Sequence, residues 1–268
     1  MAEGTTYSPV FACPHCARPL SLAISSAHCE EGHSFDRARE GYFNLLLAGR
    51  VASSVTPGDT AESLNARRRF LKGGWYEPVV HALRDALGVV NGAVLDVGCG
   101  EGYYLAHVEA PEKYGLDISK KAIQMASKSQ PESQFVVGTS FHLPVLNESC
   151  AAVFTVFAPH SFEEYRRVLR PGGTWVTVTP GPNHLAELRP KRDEKIRERE
   201  ERRALPPQEA DESTRLQFTL ELTDEAAFDL YTMTPLQFQA SSAQAVQYVR
   251  EVSIDMWVSR STLTSPAK

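Results

Sequence analysis

Short apolar runs alternate with amphipathic stretches from Val94 to about residue 180, and this alternation dominates the chain. Five runs each start with a segment that has the length and apolar content of a buried strand: AVLDVGCG, KYGLDIS, QFVVGTS, AAVFTVFAP and TWVTVTP. Between them, KKAIQMASKS and FEEYRRVLR have helical spacing, and the second is expected to end at PGG. Strands that alternate with helices predict an α/β fold with a parallel, doubly wound sheet.

The regions on either side of this alternation follow other patterns. Residues 1–49 are rich in turns and predict a small module, while residues 50–90 contain a polar stretch and two helical segments, AESLNARRRFLKGG and EPVVHALRDAL. After residue 180, the charged run LRPKRDEKIREREERRALPP predicts a solvated helix or, alternatively, an element that faces RNA or a partner. RLQFTLEL and VSIDMWVS then complete a mostly parallel, seven-stranded sheet. We therefore divide the chain into 1–49 and 50–268, with 50–90 as a helical connector.

Composition and charge exclude several classes of protein. No stretch approaches the roughly 20 consecutive apolar residues of a membrane helix. The first residues, MAEGTTYSPVFACPHC, lack the basic region and apolar run of a secretory signal. Five cysteines, an odd number, argue against a pure disulfide framework and favour a reducing cytoplasm. The net charge of -5 neither indicates nor excludes a nucleic-acid partner, because a local basic face can act alone.

Four potential metal ligands stand in the pattern C-x2-C-x12-C-x3-H: Cys13, Cys16, Cys29 and His33. Two tight turns, CPHC and CEEGH, supply two ligands each, which suits the tetrahedral geometry of zinc. Because four side chains fill four positions, the pattern predicts one structural zinc per chain rather than a catalytic one. His15 and His28 flank these ligands and are alternative donors. The other interpretation is a set of buried thiols beside an unrelated histidine.

The segment VLDVGCGEGYY carries the main signal for a cofactor. An apolar strand ends at Asp96, and Gly98, Gly100 and Gly102 form a tight turn into a helix, which lets the backbone approach a ligand closely. A dinucleotide fingerprint would have its third glycine three positions after Gly100, where Tyr103 stands. The segment instead resembles the first motif that binds S-adenosylmethionine (SAM) in class I methyltransferases, with Asp96, Gly98 and Gly100 in contact with the cofactor.

Asp117 in YGLDIS is the second signal, at the end of the next strand. It follows Asp96 by 21 positions, and an acidic residue near that spacing accepts hydrogen bonds from ribose hydroxyls. The alternative is an ordinary turn residue at a strand end. The segment VLRPGG, which turns the chain into the fifth strand, is frequent in the same fold class and supports the cofactor interpretation.

The whole pattern resembles the RlmA (RrmA) type of large-subunit ribosomal RNA guanine-N1 methyltransferases. The segments that carry the resemblance are CPHC, CEEGHSFDRAREGYFNLL, PGDTAESLNARRRFL, LDVGCGEGYY, GLDISK, FAP, RVLRPGG, TPGPNHLAEL and MTPLQF. They extend from the first cysteine pair almost to the C-terminal strands. A zinc module followed by GYFNLL and LDVGCGEGYY is a specific combination that a generic methyltransferase does not have.

The resemblance implies a class I SAM-dependent methyltransferase fold, zinc on the four ligands above, and SAM contacts from Tyr76, Gly100, Glu101 and His184. Tyr76 offers an aromatic face for a sulfonium, and His184 lies beyond the fifth strand, where such sheets bind ligands. The resemblance also implies methylation of a guanine in a hairpin of 23S rRNA, with nucleotide 745 favoured and 748 as the alternative. It further implies a cytoplasmic homodimer.

The sequence leaves the substrate contacts and the proton acceptor open. A cluster of cations is available for phosphates: Arg67, Arg68, Arg69 and Lys72. Glu163 and Glu164 are candidates to accept the N1 proton, although a position on a helix surface is the favoured interpretation. Two rival functions are a small-molecule methyltransferase with an accessory zinc module and a non-catalytic, zinc-bearing RNA-binding protein. The cation cluster argues against the first, and the complete Gly and Asp pattern argues against the second.

Overall fold

The structure, a computed structural model, describes residues 10–49, 60–189, 204–238 and 249–264. Most of the charged run, residues 190–203, lies outside these ranges, so the prediction of a solvated helix there is not addressed. Among the helices of the described ranges, none combines the length and apolar content needed to cross a membrane.

The N-terminal module is a small antiparallel sheet around the predicted metal ligands. Its strands are β1 (Ser21–Leu22), β2 (Ser26–His28) and β3 (Ser34–Asp36), paired in the order β1-β2-β3. Strands of two or three residues bury little surface, so this sheet depends on further support from a metal or from the rest of the chain.

A second sheet of eight strands runs through the rest of the described residues in the order β10-β11-β9-β8-β5-β6-β7-β4. Its strands are β4 (Phe43–Asn44), β5 (Ala93–Val97), β6 (Glu112–Asp117), β7 (Gln134–Val137), β8 (Cys150–Val156), β9 (Leu169–Pro180), β10 (Glu212–Glu221) and β11 (Glu251–Thr262). Neighbours from β4 to β9 are parallel, and β11 runs antiparallel to both β9 and β10. The predicted mostly parallel sheet is confirmed, with one strand more than the expected seven.

The additional strand comes from the N-terminal region. Phe43 and Asn44 pair in parallel with Val136 and Val137 of β7, at the edge of the large sheet. The sequence did not indicate this pairing, because GYFNLL lacks the length and alternation of a strand. Residues of the predicted 1–49 module therefore belong to both sheets.

Six helices connect the strands of the described ranges. They are α1 (Ala61–Lys72), α2 (Glu77–Leu87), α3 (Tyr103–His107), α4 (Lys120–Ser129), α5 (Phe162–Val168) and α6 (Asp224–Thr232). The first two lie within residues 50–90, where the sequence predicts two helical segments. Helix α5 ends two residues earlier than expected from FEEYRRVLR, because Leu169 already pairs with Cys150 at an irregularity between β8 and β9.

The alternation of side chains along each strand builds two separate cores on the two faces of the large sheet. Helices α1 and α2 pack on the face that contains Val94, whereas the zinc module packs on the face that contains Leu95. There Phe11 meets the ring of Tyr114 edge to face at 5.2 Å. The N-terminal module is thus built onto the large sheet through a shared apolar core.

Candidate functional site

The predicted metal ligands converge in the structure. One ligand atom from each of Cys13, Cys16, Cys29 and His33 lies within 4.8 Å of every other. The sulfur atoms of Cys16 and Cys29 are 3.7 Å apart, and the Cys29 sulfur is 3.3 Å from His33 Nδ1. Tetrahedral zinc with Zn–S bonds of about 2.3 Å separates two sulfur ligands by about 3.8 Å. The cluster therefore fits one structural zinc.

Local backbone geometry explains why these ligands face one another. The amide of Ala17 donates to the carbonyl of Cys13 at 2.8 Å and closes the first turn. Gly32, with a φ of 81°, allows the second turn to bring His33 beside Cys29. The alternative donors take other roles. His28 Nε2 forms a hydrogen bond with Ser26 Oγ at 2.6 Å, and the His15 ring stacks on the His33 ring with 4.9 Å between centroids.

The predicted cofactor loop lies at the carboxyl ends of β5 and β6. The amides of Gly98 and Cys99 donate to the carbonyl of Leu116 at 2.8 and 3.0 Å, and the amide of Gly100 donates to Asp117 Oδ2 at 2.9 Å. Ligands of doubly wound sheets bind at this edge. The structure thus brings the predicted Gly turn and the predicted acidic residue into direct contact.

Gly98 and Gly100 serve different purposes in this loop. A Cβ at Gly98 would lie 2.2 Å from the Cβ of Ala158, so Gly98 permits the chain after β8 to pack against the loop. A Cβ at Gly100 would meet only Arg67 Nη1, at 3.5 Å, so the space beside Gly100 is largely open. Its φ of 55° is the left-handed conformation that glycine accepts without strain.

Asp117 holds two elements in place. Besides the contact with Gly100, its Oδ1 accepts the amide of Ser119 at 2.7 Å, and the Ser119 side chain caps helix α4. A carboxylate oxygen can accept two hydrogen bonds, so these contacts are compatible with ribose hydroxyls as additional donors.

The buried carboxyl group of Asp96 is not fully hydrogen-bonded within the described residues. The residue is 1% exposed, and its Oδ2 has no hydrogen-bond partner within the described part of the chain. Burial, together with the charge of Asp117, raises the pKa of the Asp96 carboxyl well above its usual range. A buried oxygen without a partner is rare in proteins and fits a site that a polar or cationic ligand completes.

Three arginines of helix α1, which the sequence analysis considered for phosphate binding, contact other parts of the chain. One of them pairs with Glu101 of the cofactor loop. Arg68 forms an ion pair with Glu101, which is 7% exposed. Arg69 makes a two-bond contact with Asp229 of α6 at 3.0 and 2.5 Å. Arg67 donates to the carbonyl of Met233 at 3.4 Å. These contacts join α1 to the cofactor loop and to α6, while the Arg69 side chain stays 59% exposed. The hypothesis that this cluster serves phosphates stays a prediction.

Tyr76 and His184 both contact a third aromatic residue that the sequence analysis did not single out. The ring centroid of Phe157 is 6.2 Å from that of Tyr76 and 5.5 Å from that of His184, and the His184 ring is stacked. Tyr76 also meets Phe70 edge to face at 5.1 Å. Burial raises the pKa of the Tyr76 hydroxyl, which stays neutral. The only sequence signal for Phe157 was the segment FAP directly after β8.

Asp255 organises the loop that carries His184, and sequence reasoning missed it as well. Its carboxylate accepts two bonds from Arg215, at 2.8 and 2.9 Å, and one from the amide of Asn183 at 2.8 Å. Its backbone carbonyl accepts from Gly181 at 2.7 Å, and its amide donates to His184 Nδ1 at 3.4 Å. The Arg215 charge lowers the pKa of the Asp255 carboxyl. An acidic residue inside the strand VSIDMWVS gave no sign of this role.

The environment of His184 determines its protonation. Burial, followed by the charge of Arg189, lowers the pKa of His184 to about 4, so the ring is neutral at physiological pH. Because Nδ1 accepts the Asp255 amide, the ring proton is assigned to Nε2. His184 therefore offers a hydrogen-bond donor, and no positive charge, to its surroundings.

Neutral burial of His184 should make the protein less stable in acid. The unfolded histidine binds a proton near its usual pKa of 6.5, whereas the folded one does so near 4, so stability falls as pH falls through this window. We expect the free energy of unfolding to fall by up to about 3 kcal/mol between these two pKa values because of His184. A His184→Asn variant should not show this loss. The asparagine oxygen can still accept the Asp255 amide. Urea unfolding at a series of pH values measures this, and superimposable pH profiles would contradict it.

The two glutamates considered as proton acceptors lie on helix α5, and Glu164 lines a cleft between this helix and the zinc module. Glu164 accepts the amide of Leu143 at 2.6 Å and is paired with Arg167 at 2.7 and 2.8 Å, and Arg167 lowers the pKa of its carboxyl. Glu163 is exposed on helix α5. The favoured helix-surface interpretation agrees with these positions.

Two family models match different parts of the chain. Residues 11–50 match the family model described as "RlmA, N-terminal", a zinc ribbon, and residues 95–177 match the model described as "Methyltransferase domain". The first match spans all four residues of the metal cluster, and the second spans the Gly loop and strands β5 to β8.

Three relatives align over most of their length. A 23S rRNA (guanine(748)-N(1))-methyltransferase of Streptomyces fradiae is 35% identical over 90% of this chain and 90% of that protein. A putative 23S rRNA (guanine-N(1)-)-methyltransferase of Micromonospora griseorubida is 38% identical over 67% of this chain and 68% of that protein. One of Bacillus subtilis (strain 168) is 30% identical over 67% of both.

Proposed function

The chain belongs to the family of 23S rRNA (guanine-N1)-methyltransferases with an RlmA-type zinc module, and from this premise we propose that it methylates N1 of a guanine in 23S rRNA. It is a SAM-dependent methyltransferase by its fold and family. The observation that carries the proposal is the combination, in one chain, of the zinc cluster and the Gly loop with a relative aligned over 90% of both proteins. A small-molecule methyltransferase would not require the zinc ribbon.

We propose that SAM binds along the carboxyl edge of the sheet, at the residues that the sequence analysis singled out: Tyr76, Asp96, Gly98, Gly100, Glu101, Asp117 and His184. The open space beside Gly100 supports close approach of a ligand to the backbone. The unpartnered oxygen of Asp96 supports a cationic group such as the ammonium of SAM. Asp117 is the proposed acceptor for the ribose hydroxyls.

When bound, SAM would supply a methyl group on a sulfonium. Transfer of this group to guanine N1 would form the carbon–nitrogen bond as the carbon–sulfur bond breaks, with S-adenosylhomocysteine as the leaving group and the N1 proton passing to solvent. The chain's own contribution is to position the two reactants and to exclude water. The aromatic side chains at the site support an apolar surrounding. Because base pairing hides N1 in a duplex, the enzyme must receive an unpaired or flipped guanine.

The placement of the zinc module supports an RNA groove. A cleft of about 790 Å³ lies between the first zinc turn, residues 14–17, and the connection that follows β7, residues 142–147. One wall is thus the zinc module and the other is the methyltransferase domain. We propose that the rRNA hairpin enters here, and binding should weaken with added salt if it contacts phosphates.

For the nucleotide we propose position 748. The Streptomyces fradiae relative is named for guanine 748, and this supports 748 over position 745, which the segment PGDTAESLNARRRF favoured in the sequence analysis. A homodimer and a cytoplasmic location, both implied by the family, are further parts of the proposal. Light scattering of the purified protein measures the first.

The decisive assay offers tritiated SAM and protein-free 23S rRNA from a strain that lacks the gene. We expect label in RNA, and a block to primer extension at one guanine of the hairpin, because a methyl group on N1 prevents base pairing. A block at 745 would replace 748 in the proposal. Label confined to a small molecule, or to a base other than guanine, would reject the RNA function.

A further inference from the structure

Phe157 combines features that are costly for the fold. It is a large apolar residue that stays 39% exposed at the carboxyl end of β8, and its φ of 57° lies in the left-handed region. A bulky residue rarely adopts this conformation, and such strain concentrates at functional sites. The Phe157 amide donates to the carbonyl of Val178 at 3.0 Å, so pairing with β9 fixes the backbone in this conformation.

The surroundings place the Phe157 ring beside the cofactor loop. The next residue, Ala158, packs directly against Gly98. His184 stacks on the ring with 24° between the planes, and Tyr76 approaches it with a tilt of 49°. Three elements that are distant in sequence therefore build one aromatic recess, of which the Phe157 ring is the most exposed member.

A base taken out of a hairpin loses its stacking partners, and aromatic side chains replace them in proteins that bind unpaired bases. We propose that Phe157 is the platform on which the target guanine stacks during methyl transfer, with His184 supporting the ring from behind. This inference rests on the proposed function. Stacking holds the plane of the base without reading its identity, so Phe157 positions N1 while other contacts select guanine.

The test compares three substitutions in the full-length protein: Phe157→Leu, Phe157→Trp and Phe157→Gly. Single-turnover transfer from tritiated SAM to the rRNA measures the step that depends on the base, and calorimetry measures SAM affinity. Phe228→Leu is the matched control, since Phe228 is a 54% exposed phenylalanine on α6 that is not among the ring contacts of Phe157.

We expect Phe157→Leu to lower the single-turnover rate or the RNA affinity by about 10- to 100-fold, the scale of losing one base–aromatic stack. Phe157→Trp should recover most of the activity, whereas Phe228→Leu should behave as the unmodified protein. SAM affinity should change less than about twofold in all of them. Glycine accepts a positive φ without strain, so the Tm of Phe157→Gly should be no lower than that of Phe157→Leu. Phe157→Gly should also lose methyl transfer to the rRNA.

Two results would overturn the stacking role alone. One is transfer by Phe157→Leu at the unmodified rate, and the other is a loss of SAM affinity by the same factor as transfer, which would make Phe157 a wall of the cofactor pocket. If the unmodified protein transfers no label to the RNA, that result would instead overturn the proposed function, and this inference with it.

Discussion

Gly100→Val should leave the protein folded and abolish SAM binding. The branched side chain would enter the open space beside the loop, where only Arg67 Nη1 lies within 4 Å of a new Cβ. It would also strain a backbone whose φ is 55°, and this would shift the amide that Asp117 accepts. We expect SAM affinity to fall at least about 100-fold, equivalent to about 2.7 kcal/mol, and methyl transfer to fall with it. Calorimetric titration with SAM measures the change.

Gly172→Val is the matched control for this prediction. Gly172 also has a positive φ, 76°, but nothing lies within 4 Å of a Cβ there, and its amide bonds Leu263 far from the Gly loop in sequence. Both variants should lose similar stability from backbone strain, and only Gly100→Val should lose SAM. Normal SAM binding by Gly100→Val would place the cofactor pocket elsewhere.

Cys13→Ser should release the zinc and destabilise the protein beyond the N-terminal module. Purified unmodified protein should carry about one equivalent of zinc, and this variant close to none, because serine is a poor ligand for zinc. Without the metal, the strands β1 to β3 are too short to persist. Cys13 also belongs to the apolar core that contains Phe11 and Leu95. We therefore expect a loss of roughly 3–5 kcal/mol and a Tm about 10 °C lower.

Cys150→Ser separates loss of zinc from loss of a buried thiol. Cys150 is fully buried beneath the same face of the sheet but lies outside the metal cluster, so its substitution should lower the Tm and retain the zinc. Metal analysis and thermal unfolding of both variants measure the difference. Full zinc content in Cys13→Ser would refute the assignment of the ligands.

Several roles in the site could not be predicted because they depend on contacts between distant parts of the chain. The ion pair of Arg68 with Glu101 joins residues 33 positions apart and is visible only in the fold. Asp255 follows His184 by 71 positions and is recognisable as its support only in the folded sheet. Phe157 acquires its role from a strained backbone and two rings on other elements. No local pattern of residue types records such contacts.

The sequence by itself determined the metal ligands, the Gly loop with Asp96 and Asp117, and the alternation that builds a parallel sheet. These features are local: ligand spacing, glycine at a turn and the period of apolar residues follow from neighbours along the chain. Tertiary structure alone decided that β4 joins the large sheet, that the zinc module shares its core, and that Arg69 of α1 pairs with Asp229 of α6. Each of these is a choice of partner, and the free energy of packing and pairing across the whole molecule determines that choice.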